Sequence, residues 1–158
     1  MSLEAVTTDL ITFMRNYISD PTGENRTWIF PTMPKVTANF PEITLTNVGS
    51  KCAEIGLGNS GQRYTYLFEV DVWVKRDNQV DIIKMVNGVP VTTVYAGRRL
   101  LEYISDAVTN AFLDNKNVLL DSYKFIDAEL YNHFSLPYEE EIDCFRKSIQ
   151  LKVIRNRK

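Results

Sequence analysis

The most constraining feature of the sequence is the regular two-residue alternation of residues 63–76, RYTYLFEVDVWVKR. Successive side chains of an extended chain point to opposite faces, so this segment predicts a long β-strand with one apolar face. That face carries Tyr64, Tyr66, Phe68, Val70, Val72 and Val74. The opposite face carries Glu69, Asp71 and Trp73. What contacts this second face is the question on which the function depends.

Size and charge narrow the class of protein. The 158 residues fit one domain, residues 1–158, and a hydrophobic fraction of 44% is ordinary for a globular chain. A net charge of −2 argues against a protein that wraps duplex nucleic acid, because such proteins neutralise phosphates with a basic face. No apolar run approaches the ~18 residues of a membrane span, and no signal peptide is evident. We therefore expect a protein of the cytoplasm without membrane contact.

The order of predicted elements indicates the fold class. Residues 3–19 and 93–113 repeat apolar side chains at helical spacing, and Thr92 or Thr93 is the expected cap of the second helix. Strands are predicted over residues 43–48, 51–58, 63–76, 122–134 and 142–156. Asn87-Gly88 between two apolar runs predicts a hairpin, and Pro90 places its second arm at a sheet edge. This order predicts an α+β fold, with an antiparallel or mixed sheet packed against the N-terminal and central helices.

Three segments have a composition that predicts irregular structure. Residues 21–41 contain four prolines, and their aromatic residues Trp28 and Phe30 either anchor the segment to the core or lie on a contact loop. Residues 135–141 are acidic and suit an exposed loop. Residues 56–61, GLGNSG, predict a mobile loop or hairpin tip. They do not predict a phosphate loop, because no Lys-Ser/Thr pair and no helix follow them.

The residues capable of chemistry are few. His133 is the sole histidine, and Glu69 with Asp71 on one strand repeats the two-residue spacing of Asp127 with Glu129 on another. Carboxylates two apart on a strand lie ~7 Å from each other, close enough to act together, although the polar face of a half-exposed sheet gives the same pattern. Cys52 and Cys144 are expected to be free thiols rather than a disulfide or zinc site. We predict no catalytic, cofactor-binding or metal site, and one alternative stays open: a small cytoplasmic α+β enzyme or ligand-binding domain that uses the strand carboxylates and His133.

Several segments together resemble the tail terminator, or tail completion, proteins of long-tailed phages and proviruses. The resembling segments are FPEITLTNVG at 40–49, AEIGLGNSG at 53–61, RYTYLFEVDVWVKR at 63–76, GRRLLEYISDAVTNAFLDN at 97–115 and LPYEEEIDCFRKSIQLKVI at 136–154. The resemblance follows the element order of roughly residues 1–154. It departs from the family at the extra hairpin of residues 78–92 and at the longer proline-rich segment 21–35.

The resemblance implies a structural role without a cofactor. Such proteins form a ring, commonly a hexamer, on the tail tube, end its growth and join it to the head connector. DNA only passes through the channel. The implied location is the tail or neck of a virion assembled in the host cytoplasm.

The resemblance also suggests which residues make contacts. The Glu69, Asp71 and Trp73 face is expected to meet a neighbouring subunit or to line the channel, where acids repel phosphates. The flexible projections expected to contact other subunits or the tube carry Gly56, Gly58, Gly61, Asn87 and Gly88. A further alternative is an adaptor dimer that buries Trp73 and residues 28–40 against a protein partner.

Overall fold

The computed structural model describes residues 3–34, 39–54 and 61–157. In chain order the elements are α1 (Leu3–Tyr17), β1 (Ile29–Phe30), β2 (Glu42–Glu54), β3 (Gln62–Lys75), β4 (Gln79–Val86), β5 (Val89–Ala96), α2 (Gly97–Asp114), α3 (Lys116–Asp121), β6 (Asp127–Glu139) and β7 (Cys144–Arg157). A short 3₁₀ turn, Glu140–Ile142, connects the last two strands. The fold is α+β, as the sequence predicts.

Two sheets organise these strands. The larger has the order β1-β2-β3-β7-β6, in which only the short β1–β2 pair is parallel. The second is the two-stranded antiparallel hairpin β4–β5. The long alternating segment is the central strand of the large sheet, paired along its whole length with β7. Its predicted extent of 63–76 agrees with Gln62–Lys75 to one residue at each end.

The main core lies between one face of the large sheet and the helices. From β3, the predicted apolar face enters this core through Tyr66, Phe68, Val70, Val72 and Val74, with Tyr64 packed at its margin. The helices contribute large apolar side chains to the same core, and the rings of Phe13 in α1 and Phe112 in α2 lie 5.2 Å apart. The prediction that this face of β3 packs beneath the helices is confirmed.

Strand β2 unites two segments that the sequence predicts as separate strands. It runs through Asn47–Gly49 by means of a bulge in its pairing with β3. The Asn47 side chain donates hydrogen bonds of 3.1 Å to the carbonyls of Gly49 and Leu67, which bridges the disrupted part of the ladder. A bulge accommodates one extra residue without ending a strand, so turn-forming residues here bend the strand instead of terminating it.

The central helix begins later than its periodicity indicates. Residues 93–96 belong to β5, and Ala96 stands at the N-cap without a side-chain cap, so the expected cap by Thr92 or Thr93 is wrong. Gly97 follows with a φ of +54°, a left-handed conformation that favours glycine and lets the chain turn directly from strand into helix.

Two other local predictions fail near the C-terminus. Residues 116–121 form α3, although the sequence suggests no helix there. Strand β6 continues to Glu139 where a loop is expected, because pairs such as Leu136 with Arg146 extend its ladder with β7. Pairing with a long neighbouring strand overrides the local preference of proline and acidic residues for a loop.

The proline-rich segment is anchored to the body of the protein. Trp28 is buried and Phe30 is partly buried, and the nearby Ile29 and Phe40 are buried as well. Arg26 donates hydrogen bonds to the carbonyls of Asn39 and Pro41 and forms a 3.0 Å ion pair with Asp20. Of the two interpretations left open by the sequence, the described part of the segment follows the anchoring one. None of the described helices has the length and apolarity needed to cross a membrane.

Candidate interaction surfaces: the outer sheet face and the hairpin

The outer sheet face, defined as the face of the large sheet turned away from the helices, carries Glu69, Asp71 and Trp73. Glu69 is half-buried opposite Gln150 of β7. Asp71 and Trp73 are only 1% and 2% exposed, covered by side chains of their own chain. The expectation of an exposed Trp73, available to a second subunit together with Asp71, is therefore wrong for this conformation.

A second, smaller hydrophobic cluster explains the burial of Trp73. The indole packs with Phe40 from the segment before β2, with Cys144 at the start of β7, and with the partly buried Ile142. Its Nε1 donates a 2.9 Å hydrogen bond to Thr44 Oγ1 on the neighbouring strand. A buried tryptophan needs such an acceptor, so the site is a satisfied packing position.

An ion pair holds Asp71 in place. Arg146 Nη2 donates a 2.7 Å hydrogen bond to Asp71 Oδ2, and the guanidinium lies 4.6 Å from the centroid of the Trp73 ring. Glu139 stands 3.6 Å from Arg146 Nη1. Sequence reasoning missed the role of Arg146. The signal available was its place on the polar face of an alternating strand, since Phe145, Lys147 and Ile149 belong to the other face.

The two acidic pairs do not form a continuous acidic wall. Strands β3 and β6 are separated by β7, which supplies cations between them. Lys152 lies 2.9 Å from Glu129. Lys116 lies 2.8 Å from Asp127, and this hydrogen-bonded contact lowers the pKa of the Asp127 carboxyl. Of the four acids Glu69, Asp71, Asp127 and Glu129, Glu69 alone has no ion pair among the described residues. Because the other three are paired with cations, the outer sheet face is nearly charge-balanced.

Several buried polar atoms of the outer sheet face lack a hydrogen-bond partner within the described structure: Glu42 Oε2, Thr46 Oγ1, Asp71 Oδ1, Arg146 Nε and Ser148 Oγ. Burial raises the pKa of the Glu42 carboxyl, and the Arg26 charge opposes that effect. Unpaired buried polar groups are costly and uncommon. Five of the buried polar atoms without a partner among the described residues thus lie on this one face.

The groups required by the enzyme alternative are not brought together. His133 is exposed and paired with Ile149, whereas Glu69 is paired with Gln150, so the two side chains start from opposite faces of the sheet. Within the residues described, no cluster of three His, Cys, Asp or Glu side chains is placed to hold a metal. Cys52 is exposed and Cys144 is buried, and burial raises the pKa of the Cys144 thiol to about 12.

The β4–β5 hairpin exposes many apolar side chains. Six of its apolar side chains are between 41% and 68% exposed: Ile83, Met85, Val86, Val89, Val91 and Val94. The register places Val86, Val89 and Val91 on one face of the ribbon and the other three on the opposite face. Asn87 and Gly88 form the predicted turn, with φ values of +53° and +79°. The predicted hairpin is confirmed, and it is apolar on both faces.

Among the described residues, the contacts that anchor the hairpin lie at its base. Val80 is buried in the main core, and the ring of Tyr95 lies 4.8 Å from that of Tyr103 in α2. Lys84 Nζ donates a 3.0 Å hydrogen bond to the Tyr95 hydroxyl, an interaction that raises the pKa of the ammonium group. Beyond this anchor, the side chains of the tip are exposed in the described structure.

The glycine loop predicted as a second projection lies mostly outside the described residues, including Gly56 and Gly58. Gly61 is described and stands just before β3 with a φ of +112°. Its predicted role in contacts stays a prediction.

Comparison of the sequence with known proteins identifies no family for this chain. The sequence matches no protein-family model and no curated protein. Conclusions about function therefore depend on the residue patterns and on the two surfaces described above.

Proposed function

We propose that this protein is a structural assembly protein of a virion tail, which forms a ring on the tail tube, ends its polymerisation and joins the tail to the head. The observation that carries the proposal is the β4–β5 hairpin, whose exposed apolar side chains lie on both faces. The resemblance of the element order to tail terminators supplies the class of assembly.

The hairpin supports assembly because its exposure is unfavourable in an isolated chain. A two-stranded ribbon is marginally stable in water by itself, and contiguous exposed apolar surface usually marks a contact with another protein. Eight residue pairs at ~3.4 Å per residue give a ribbon about 27 Å long. One partner covers one face, so burial of both faces requires two contacting surfaces.

A ring provides two such surfaces. Each subunit of a cyclic ring makes two different contacts, one with each neighbour, and a ring seated on a tube adds a third contact. The partners in this proposal are further copies of the chain, expected as a hexamer, the tail tube protein and the head connector. DNA passes through the channel, and the function needs no cofactor. The charge balance of the outer sheet face is compatible with DNA passage, because a lining without excess positive charge gives phosphates no strong attachment.

The test combines mass measurement with a tube-capping assay. Wild type and the double variant Ile83→Asp/Met85→Asp are compared by native mass spectrometry, alone and with tubes polymerised from the tail tube protein of the same genome. Leu113→Asp is the matched control, because Leu113 is 64% exposed on α2 and outside the hairpin.

We expect wild type and the Leu113 variant to give ring-sized species on tube ends and to stop tube elongation. The hairpin variant is expected to stay monomeric and leave tubes growing. Hairpin variants that still form rings and cap tubes normally would remove the support for this function.

A further inference from the structure

The free edges of the strands differ in their capacity to accept another strand. The exposed edge of β2 carries the bulge at Asn47–Gly49. The exposed edge of β6 has two register breaks and contains Pro137. Bulges and prolines are devices that blunt edges against pairing. In the described structure, β4 is the long edge strand that has neither, with an unbroken register over eight pairs.

The turn decides which backbone groups of β4 point outward. A two-residue turn with positive φ at both positions is closed by a hydrogen-bonded pair, here Val86 with Val89. Hydrogen-bonded and non-hydrogen-bonded pairs then alternate, so the N–H and C=O groups of Asp81, Ile83 and Met85 face away from β5. On the opposite edge, Pro90 occupies an outward position and supplies no donor.

A groove runs along this edge. A cavity of about 530 Å³ lies between β4 and the end of α1, bounded by Ile82 and Ile83 on one side and by Tyr17 and Ile18 on the other. Tyr103 of α2 also lines it. The groove is of mixed polarity, since Ser19, Asp20 and Asp81 line it beside these apolar side chains. A free strand edge beside a groove that offers apolar side chains is the arrangement by which extended peptides bind as an added strand.

Two acids, Asp20 and Asp81, line the groove, and Lys84 Nζ lies 5.6 Å from the ring centroid of Tyr103, which lines it too. Asp20 is paired with Arg26 and Lys84 is hydrogen-bonded to the Tyr95 hydroxyl, so Asp81 is the charge that favours a cationic occupant.

Asp81 is exposed at the groove, with no ion pair among the residues described. The groove also meets the C-terminal end of α1, where the helix dipole places partial negative charge. Arg15, in the last turn of α1, keeps its positive charge but directs it to the Ile29 carbonyl, and it does not line the groove.

We propose that the β4 edge and this groove bind an extended segment of a different polypeptide, with apolar side chains at alternate positions and a lysine or arginine beside them. A second copy of this chain offers edges of β2, β5 and β6 that are bulged or carry proline, so self-association at this edge would have to use its own β4. Dimerisation of wild type that Ile83→Pro abolishes would assign the edge to self-pairing and overturn the proposal. The inference goes beyond the proposed function and does not depend on ring formation.

The test uses a defined probe, the acetylated and amidated peptide Lys-Val-Thr-Val-Thr-Val-Lys, with binding followed by isothermal titration calorimetry. Ile83→Pro removes one outward donor of β4. Thr92→Pro is the matched control, because Thr92 is the cross-strand partner of Ile83 and its N–H faces the opposite edge. We expect Ile83→Pro to weaken binding about tenfold and Thr92→Pro to change it less than twofold.

The preference of the groove for a cationic peptide is tested by the same titration. We expect Asp81→Lys to weaken binding of the probe and to improve binding of a peptide with glutamate at both ends. In wild type, the probe is expected to slow hydrogen exchange at the amides of Ile83 and Met85 and to leave those of Thr92 and Val94 unchanged.

Absence of saturable binding up to millimolar probe would overturn the proposal, as would slowed exchange on the β5 edge alone. The outcomes are separable from those of the ring assay. If the protein caps tubes but does not bind the peptide, only this inference is contradicted. If it binds the peptide but does not cap tubes, only the proposed function is contradicted.

Discussion

Arg146 Nη2 lies 2.7 Å from Asp71 Oδ2, and the same guanidinium covers the face of Trp73 at 4.6 Å from the ring centroid. One side chain of β7 thus neutralises the buried acid of β3 and shields its tryptophan. This relationship turns a face that the sequence presents as polar into a second packed layer. It also removes two residues from the surface on which subunit contacts were expected.

The ion pair leads to the first prediction. Asp71→Asn should lower the free energy of unfolding by about 3 kcal/mol, because it removes the buried counter-charge of Arg146 and leaves it with the more distant, partly exposed Glu139. Urea denaturation measures the change. Glu129→Gln is the control, since its pair with Lys152 is solvent-exposed and should contribute less than about 1 kcal/mol.

Adding Arg146→Met to Asp71→Asn should recover part of the lost stability, because it removes the mostly buried charge that has lost its close partner. Equal loss of stability in the Asp71 and Glu129 variants would show that the buried ion pair contributes no more to stability than the exposed one.

The buried carboxyl of Glu42 predicts that the free energy of unfolding depends on pH. Burial raises the pKa of its carboxyl in the folded state, so folding disfavours the ionised form. The free energy of unfolding of wild type relative to Glu42→Gln should therefore increase as the pH falls from 7 through the raised pKa. The difference should level off below the ordinary value of 4.5. Chemical denaturation at a series of pH values tests the sign, and a difference that decreases as the pH falls from 7 to 4.5 would contradict it.

The two thiols should differ in reactivity. Cys52 is exposed, whereas Cys144 is buried and has its pKa raised to about 12, which leaves almost no thiolate at pH 8. Iodoacetamide at pH 8 should therefore add one group per native chain and two per unfolded chain, as counted by intact mass. Cys52→Ser should take up none while folded. Rapid double labelling of the native protein would show that the Cys144 layer opens readily.

The hairpin turn should be sensitive to the loss of glycine. Gly88 has a φ of +79°, and a Cβ there would meet no atom within 4 Å, so Gly88→Ala introduces backbone strain of about 1 kcal/mol without a clash. We expect faster hydrogen exchange in residues 79–96 and little change in exchange within β3.

Gly49→Ala is the matched control for this prediction, because an added Cβ would stand 4.0 Å from Leu67 Cδ1 and the backbone there is not left-handed. Slower exchange in the Gly88 variant, or faster exchange of the hairpin in the Gly49 variant, would argue against the assignment of strain to the turn.

Local patterns in the sequence determined the parts of the fold that depend on near neighbours. The two-residue alternation of residues 63–76 was sufficient to predict β3 and its core-facing side chains, since alternation is a property of a single strand. The helical spacing of residues 3–19 identified α1, and Asn87-Gly88 identified the hairpin and its turn. These features need only the preferences of adjacent residues.

Tertiary structure alone decided the state of the outer sheet face. The cover of Trp73 comes from Phe40 and Cys144, and the counter-charge of Asp71 comes from a residue 75 positions away. Strand pairing decided that β7 lies between the two acidic strands and that β6 extends to Glu139. Alternation indicates that a strand has two faces but not which segment returns to cover the second one. That depends on contacts between residues far apart in the chain, and a pattern of near neighbours does not contain them.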